Sequence, residues 1–375
     1  MNAIATEGWG RALPRPAAAS REWSFGLDAV RAVAVMLVLV AHGSFVFMSF
    51  TGPLKPFLLM GYVGVELFFA LSGFLLGGAL IDSCNGSAPV VRFWQRRWAR
   101  TLPLYFLFLG VNWLLARQHG EPTPDFFAFV VFLQNFATPH PIWFTEAWSL
   151  SIEELFYLVA PLIFWGAASA GVSPGRTIAA WLAGALVLHV AYVVAADPVY
   201  WDEGIHKVGI ARADAIAWGV AASWWARGRT REERRRAFNI GVAALAIACV
   251  AYATADLDRS AFARFVLLPL GSFGAAAMLP AVAAARAPAA FRGGGAVRAL
   301  ARWAYPLYLM QLPALRLMIW TFGWVAQDAG DIVAQLALYA ALSVGGAAVL
   351  HACIERPVLA WRDRRWPASL RGGHS

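Results

Sequence analysis

The chain has 375 residues, 60% of them hydrophobic and only 14% charged, with a formal net charge of +9. Soluble domains carry about a quarter charged residues, so this composition excludes an ordinary soluble enzyme and points to an all-α, polytopic integral membrane protein. The arginines fall in blocks between apolar runs, as cytoplasmic membrane loops do, and the three cysteines lack metal-ligand spacing, so neither nucleic acid nor a metal is expected.

Residues 1–24 read as a Pro/Ala-rich cytoplasmic tail with Arg11, Arg15 and Arg21. The apolar run that follows lacks a small-residue cleavage site, so it reads as a first span and not as a removed leader. At roughly 20 apolar residues per crossing, ten spans are expected: 25–48, 62–82, 100–117, 148–169, 177–196, 206–226, 238–254, 262–284, 300–322 and 331–352. Phe126–Phe136 is too short to cross and reads as interfacial or re-entrant. Residues 25–355 form the membrane domain and residues 356–375 a second cytoplasmic tail. Arginines crowd the connections on one side, as at Arg92, Arg96, Arg97 and Arg100 and again from Arg227 to Arg236. The opposite connections hold Lys55, Arg117, Lys207, Arg259 and Arg264. That bias predicts both termini in the cytoplasm and an inner-membrane location.

Ionisable groups inside such spans are costly and mark functional paths. In the first span, the spacing of Arg31 and His42 brings them to one helix face, about 16 Å apart along the axis. Asp28 lies one turn from Arg31 and pairs with it. The competing reading is a snorkelling Arg31 and a packed histidine. In later spans Glu66, Glu153, Glu154, Arg212 and Asp214 are expected at the depth of His42. A histidine beside a carboxylate is a natural general base for a hydroxyl. Glu154, Glu66 and Asp214 each have a plainer explanation, and Glu153 has none. Ser151 to Glu154 fits a capping box, Glu66 fits an interfacial carboxylate, and Asp214 fits a structural pair with Arg212. On the arginine-rich side, Arg97 and Arg100 share a helix face, with Phe93, Trp94 and Trp98 interleaved. Forked guanidiniums suit phosphates and the aromatics suit a nucleobase; a positive-inside anchor is the alternative.

Several of these stretches together resemble the acyltransferase-3 family, membrane enzymes that move acyl groups from acyl-CoA onto sugars and other hydroxylated acceptors. The matching residues are Leu27-Asp28-Ala29-Val30-Arg31 with His42, the run Gly64 to Leu75 that includes Glu66 and Ser72, the pair Arg97 and Arg100, and Trp148-Ser149-Leu150-Ser151-Ile152-Glu153-Glu154-Leu155-Phe156-Tyr157. Weaker echoes are Arg212 to Gly219, Tyr305-Pro306-Leu307-Tyr308 and Glu355-Arg356-Pro357. Leu155 departs from the family, where glutamine is common. The motifs run in family order along nearly the whole chain.

The resemblance implies about ten spans around a central pore, an acyl-CoA co-substrate (acetyl-CoA expected) from the cytoplasm, and catalysis by His42. Glu153 or Glu154 would orient His42 and stabilise its imidazolium. Arg97 and Arg100 would hold the CoA phosphates, and Arg31 would line the path of the pantetheine arm. Asp28, Glu66, Ser72 and Asp214 are the expected supporting residues. The acceptor would be a saccharide or glycoconjugate; direct transfer and an acyl-histidine intermediate both stay open. Some relatives carry a fused esterase-like domain after the last span. None is expected here, so the acceptor would be met unaided or with a separate partner. Two rival functions are acylation of a small molecule, such as a macrolide or glycolipid, and secondary transport of an anionic solute.

Overall fold

The computed structural model describes residues 24–50, 52, 55–58, 60–84, 90–287, 291–323, 326 and 328–367. Residues 1–23 and 368–375 of the two expected tails lie outside the described residues. Among the described residues, eleven helices of ten or more residues organise the chain: α1 (Phe25–Gly43), α2 (Gly61–Cys84), α3 (Val90–Gln118), α4 (Ala147–Ser169), α5 (Pro174–Ala196), α6 (Ala215–Trp225), α7 (Arg231–Thr254), α8 (Leu268–Val282), α9 (Gly294–Phe322), α10 (Ala329–Leu350) and α11 (Arg356–Arg365). Among the described residues there is no strand.

Helix α1 starts where the sequence provides a cap. The Ser24 hydroxyl accepts the Leu27 amide at 3.4 Å, and Asp28 lies in the first turn, where the helix dipole favours negative charge. Helix α2 is the centre of the bundle, packed against α1, α6 and α8. Two glycines make one of those crossings. A Cβ on Gly73 would fall 2.0 Å from the Ile216 carbonyl oxygen, and one on Gly219 would fall 2.2 Å from that of Ala70. Backbones this close are how membrane helices gain packing without a hydrophobic drive between them. At the perimeter, α5 and α7 turn Val187, Val194, Ile247 and Val250 outward, which suits acyl chains and not water.

Among the described residues, eight helices are long and apolar enough to cross a membrane. The two expected spans outside that set are the sixth and the ninth. The sixth is regular α-helix only over the eleven residues of α6; before it the chain runs through a π turn at Asp202–His206 and a 3₁₀ turn at Ile210–Arg212. The ninth, α9, is 29 residues long, but Arg298, Arg302, Gln311 and Arg316 divide its apolar sequence. The short segment expected at Phe126–Phe136 is a five-residue helix, Phe126–Val130, followed by a loop. Tyr105 of α3 donates to the Phe129 carbonyl at 2.7 Å, and the Gly209 amide donates to that of Asn135 at 2.7 Å. The segment therefore folds back onto the bundle.

At the arginine-rich end, α10 passes through a π turn, His351–Glu355, directly into α11. The domain boundary placed at residue 355 thus falls inside continuous helix. Arg96 pairs with Asp363 at 3.1 Å and also donates to the Trp366 carbonyl, while Arg92 donates to that of Pro367. Two of the four clustered arginines thus anchor the C-terminal helix.

Candidate functional site

The other two arginines of the cluster turn inward. A cavity of about 90 Å³ lies between α1, α2, α3, α4 and α9, with Arg31, Ser72, Arg97, Arg100, Glu153 and Tyr308 in its wall. A water needs roughly 10–15 Å³ of such space. The chamber therefore takes several waters or a slender chain, and has no room for a nucleotide.

Its polar wall is a chain of hydrogen bonds that all point one way. Arg97 Nη2 donates to the Tyr157 hydroxyl at 2.5 Å, Tyr157 donates to Ser72 Oγ at 3.2 Å, and Ser72 donates to Glu153 Oε1 at 2.7 Å. The guanidinium also lies 4.4 Å from the centre of the Tyr157 ring. Each hydroxyl accepts one bond and donates the next, so the cation end and the carboxylate end polarise the same relay. Helix periodicity explains the assembly: Glu153 and Tyr157 are four apart on α4 and so share a face. On the opposite wall, Tyr305 donates to the Thr101 carbonyl at 2.7 Å, and the Tyr308 hydroxyl lies 2.6 Å from Ser149 Oγ.

His42 is held elsewhere. Its Nδ1 lies 3.0 Å from Gln311 Oε1, an oxygen that also accepts from the Tyr339 hydroxyl at 3.4 Å. With an amide oxygen as partner, Nδ1 carries the proton and Nε2 keeps the lone pair a base needs. The expected partners Glu153 and Glu154 are not hydrogen-bonded to His42 among the described residues; an α9 amide takes that place. Gln311 follows Tyr308 by three residues on α9, about 4.5 Å further along the axis. His42 is thus tied to α9 about one turn from Tyr308, whose ring lies 6.2 Å from that of Phe68 in the chamber wall.

The remaining acids divide clearly. Glu154 is not a cap, because α4 begins at Ala147 and Ser151, one turn inside, bonds to Asn135 and to the Trp148 carbonyl. It is buried, with Oε2 lacking a partner. Glu66 is no interfacial carboxylate: it is fully buried, ion-paired to Arg212, and accepts from Ser272 at 2.6 Å. Asp214 therefore is not the partner of Arg212; it accepts the Trp218 indole N–H at 3.0 Å. Asp28 pairs with Arg31 at 2.9 Å as expected.

The sequence reading missed Tyr157, Tyr308, Gln311 and Glu146. The tyrosines stood inside quoted motifs, but with no charge to mark them. Glu146 precedes α4, is buried, and meets Asn112 Nδ2 at 3.5 Å. Burial pushes its carboxyl up to about 7.

Comparison with known proteins adds sequence relatives. The family model described as an acyltransferase domain matches residues 24–352. The peptidoglycan O-acetyltransferase OatA of Listeria monocytogenes is 29% identical over 162 residues, 38% of this chain and 24% of that protein. YrhL of Bacillus subtilis, provisionally named a peptidoglycan O-acetyltransferase, is 28% identical over 221 residues, 52% of this chain and 33% of that protein. The matched stretches thus span only about a quarter to a third of these relatives' own length. No solved structure matches.

Proposed function

The chain belongs to the acyltransferase-3 family and is an acyltransferase, and from that premise we propose that it moves an acyl group, acetyl being expected, from cytoplasmic acyl-CoA to a hydroxyl of a saccharide or glycoconjugate. The observation that carries this reading is the alignment of three features along α1. Arg31 lines the chamber, the chamber admits a slender arm, and His42 is held by Gln311, which follows the lining residue Tyr308 by about one turn of α9.

In this mechanism the arm of the donor threads past Arg31 and Arg100. Ser149, Glu153 and Tyr308 offer hydrogen-bonding groups along the wall to its amides. The thioester passes the Phe68–Tyr308 pair to reach His42. Nε2 of His42 takes the acceptor's hydroxyl proton as the new O–C bond forms. The C–S bond then breaks, and the imidazolium returns its proton to the departing thiolate, so that CoA leaves as the thiol. General base assistance of this kind contributes about 10²–10⁴-fold. Gln311 fixes the tautomer and leaves Glu153 to shape the chamber.

The relatives' names make a cell-wall glycan the first acceptor to try. The positive-inside bias supports a cytoplasmic arginine-rich end, and with it both termini on the cytoplasmic face of the inner membrane. The test is incubation of detergent-purified protein with acetyl-CoA and soluble glycan fragments. Time-dependent free thiol matched by glycan ester is expected. Neither product above a heat-denatured control would refute the donor and acceptor assignment together.

A further inference from the structure

On the outside of the bundle, between α4 and α5, lies a groove of about 500 Å³ that shares no residue with the chamber. Val159 and Ile163 of α4 form one wall, and Gly184 and Leu188 of α5 belong to the other. Val159, Ile163 and Leu188 are exposed, so the groove opens toward the acyl chains of a bilayer. Trp181 closes part of its floor. The indole N–H donates to the Ala213 carbonyl at 2.8 Å, and the ring centre lies 5.3 Å from that of Phe156. Small residues keep the groove deep. Ala180 and Gly184 are four apart on α5 and share a face, and a Cβ on Gly184 would meet no atom within 4 Å.

One charged side chain lines this groove. Arg176 stands in the first turn of α5, is exposed, and has no ion-pair partner among the described residues. The Thr177 hydroxyl, also in the lining, already donates to the Ser173 carbonyl at 3.1 Å. Trp224 marks the level of Arg176. It is 40% exposed, and a Cβ on the neighbouring Gly175 would fall 2.7 Å from its ring. Such tryptophans gather at the membrane–water interface, and the arginines from Arg227 to Arg236 follow it. From Arg176 to Leu188 the rise along α5 is ~18 Å, close to the ~15 Å of hydrocarbon in one leaflet.

We propose that this groove binds an anionic phospholipid, with its phosphate on Arg176 and one acyl chain lying along α5 as far as Leu188. The match is chemical at both ends. A guanidinium at headgroup level suits a phosphate, and the apolar trough beyond it suits a flexible chain of leaflet length. The bound chain would pack on α4, whose other face carries Glu153 and Tyr157, so the lipid would buttress the helix that holds the relay.

The test purifies full-length protein in detergent with equal amounts of phosphatidylglycerol and phosphatidylcholine, and counts retained lipid by native mass spectrometry. Wild type is expected to favour phosphatidylglycerol by about fivefold, the weight of one basic residue beside an anionic headgroup. Arg176→Gln should lose that preference, while Arg236→Gln, an exposed arginine away from the groove, should keep it. Gly184→Leu and Ala180→Leu fill the groove and should lower retention of both lipids. Gly166→Leu adds the same bulk at an open position of α4 outside the groove and should retain lipid as wild type does. No preference in wild type, a preference that survives Arg176→Gln, or unchanged retention by a monodisperse filled variant would overturn the proposal. A wild-type dimer that dissociates in the filled variants would give the groove to a second copy of the chain and overturn it as well.

Discussion

Two arginines inside this bundle meet glutamates in opposite ways. Arg212 touches Glu66 directly, both side chains have no exposure, and Ser272 bonds the second carboxylate oxygen. The pair joins α2, the turn before α6, and α8, and neither residue lines the chamber. Arg97 reaches Glu153 only through Tyr157 and Ser72, and Arg97, Ser72 and Glu153 all line the chamber. The ingredients are nearly the same: a guanidinium, hydroxyls and a carboxylate. A closed pair spends its charge on holding helices together. A stretched one leaves polar surface facing a space that a ligand can enter. An ionisable group within a membrane span is a functional candidate by default, and here the connectivity of the pair tells which default holds.

The largest expected effect would break the closed pair. Glu66→Gln leaves Arg212 charged and buried, and losing one partner of such a pair costs about 3–5 kcal/mol. Thermal unfolding in detergent should show a clear loss of stability; unfolding matched to wild type would mean that the pair is not the staple described here. Glu153→Gln should behave in the opposite manner. Stability should change little, while kcat falls about 10–100-fold, below the ~10²–10³-fold of a lost oxyanion-hole donor because Glu153 does not itself meet the reacting atoms. The fall should exceed that of Glu154→Gln at equal protein levels, since Glu154 is absent from the chamber wall. Tyr157→Phe removes only the middle of the relay, so a smaller loss of about fivefold, near the ~1 kcal/mol of one hydrogen bond, is expected in the same assay.

A buried carboxylate with no direct cation contact sharpens the contrast from a third side. The Glu146 carboxyl is raised to about 7 by burial. Below its unfolded value near 4.5 both states hold the proton, and burial costs nothing extra. As pH rises, the unfolded chain releases its proton first, so the native state loses stability until about pH 7. Glu146→Gln keeps the shape without that cost. It should stabilise the protein at pH 8 by up to about 3 kcal/mol and leave it nearly unchanged at pH 4.5, as read from unfolding curves at the two pH values. Equal stabilisation at both would assign the gain to packing.

Much of this was legible in the sequence because membranes make polarity conspicuous. An apolar run of span length carrying Asp28, Arg31 and His42 marks itself, and so does the adjacent acid pair Glu153 and Glu154. Partnership was less legible. Glu66 bonds Arg212 across 146 positions and His42 bonds Gln311 across 269, and no periodicity reports on such distances. Ser151 and Glu154 match a capping pattern, yet the helix begins four residues before Ser151, so the pattern lies inside it. The four clustered arginines could not be sorted by spacing, because what separates them is the C-terminal helix that Arg92 and Arg96 hold. The sixth expected span departs from regular helix for a related reason. Its early residues satisfy tertiary partners: Arg212 meets Glu66, and the Gly209 amide meets the Asn135 carbonyl. The backbone there is turn and not regular helix.

The central claim is that His42, held by Gln311, is the base of acyl transfer. It is tested most directly by His42→Gln, purified with a monodisperse elution profile and assayed with acetyl-CoA and the acceptor that wild type esterifies. Glutamine retains hydrogen bonding but accepts no proton near neutral pH, so turnover should fall at least ~10²-fold while CoA binding stays at the wild-type level. A variant that keeps a tenth or more of wild-type kcat would contradict the claim and place the base elsewhere.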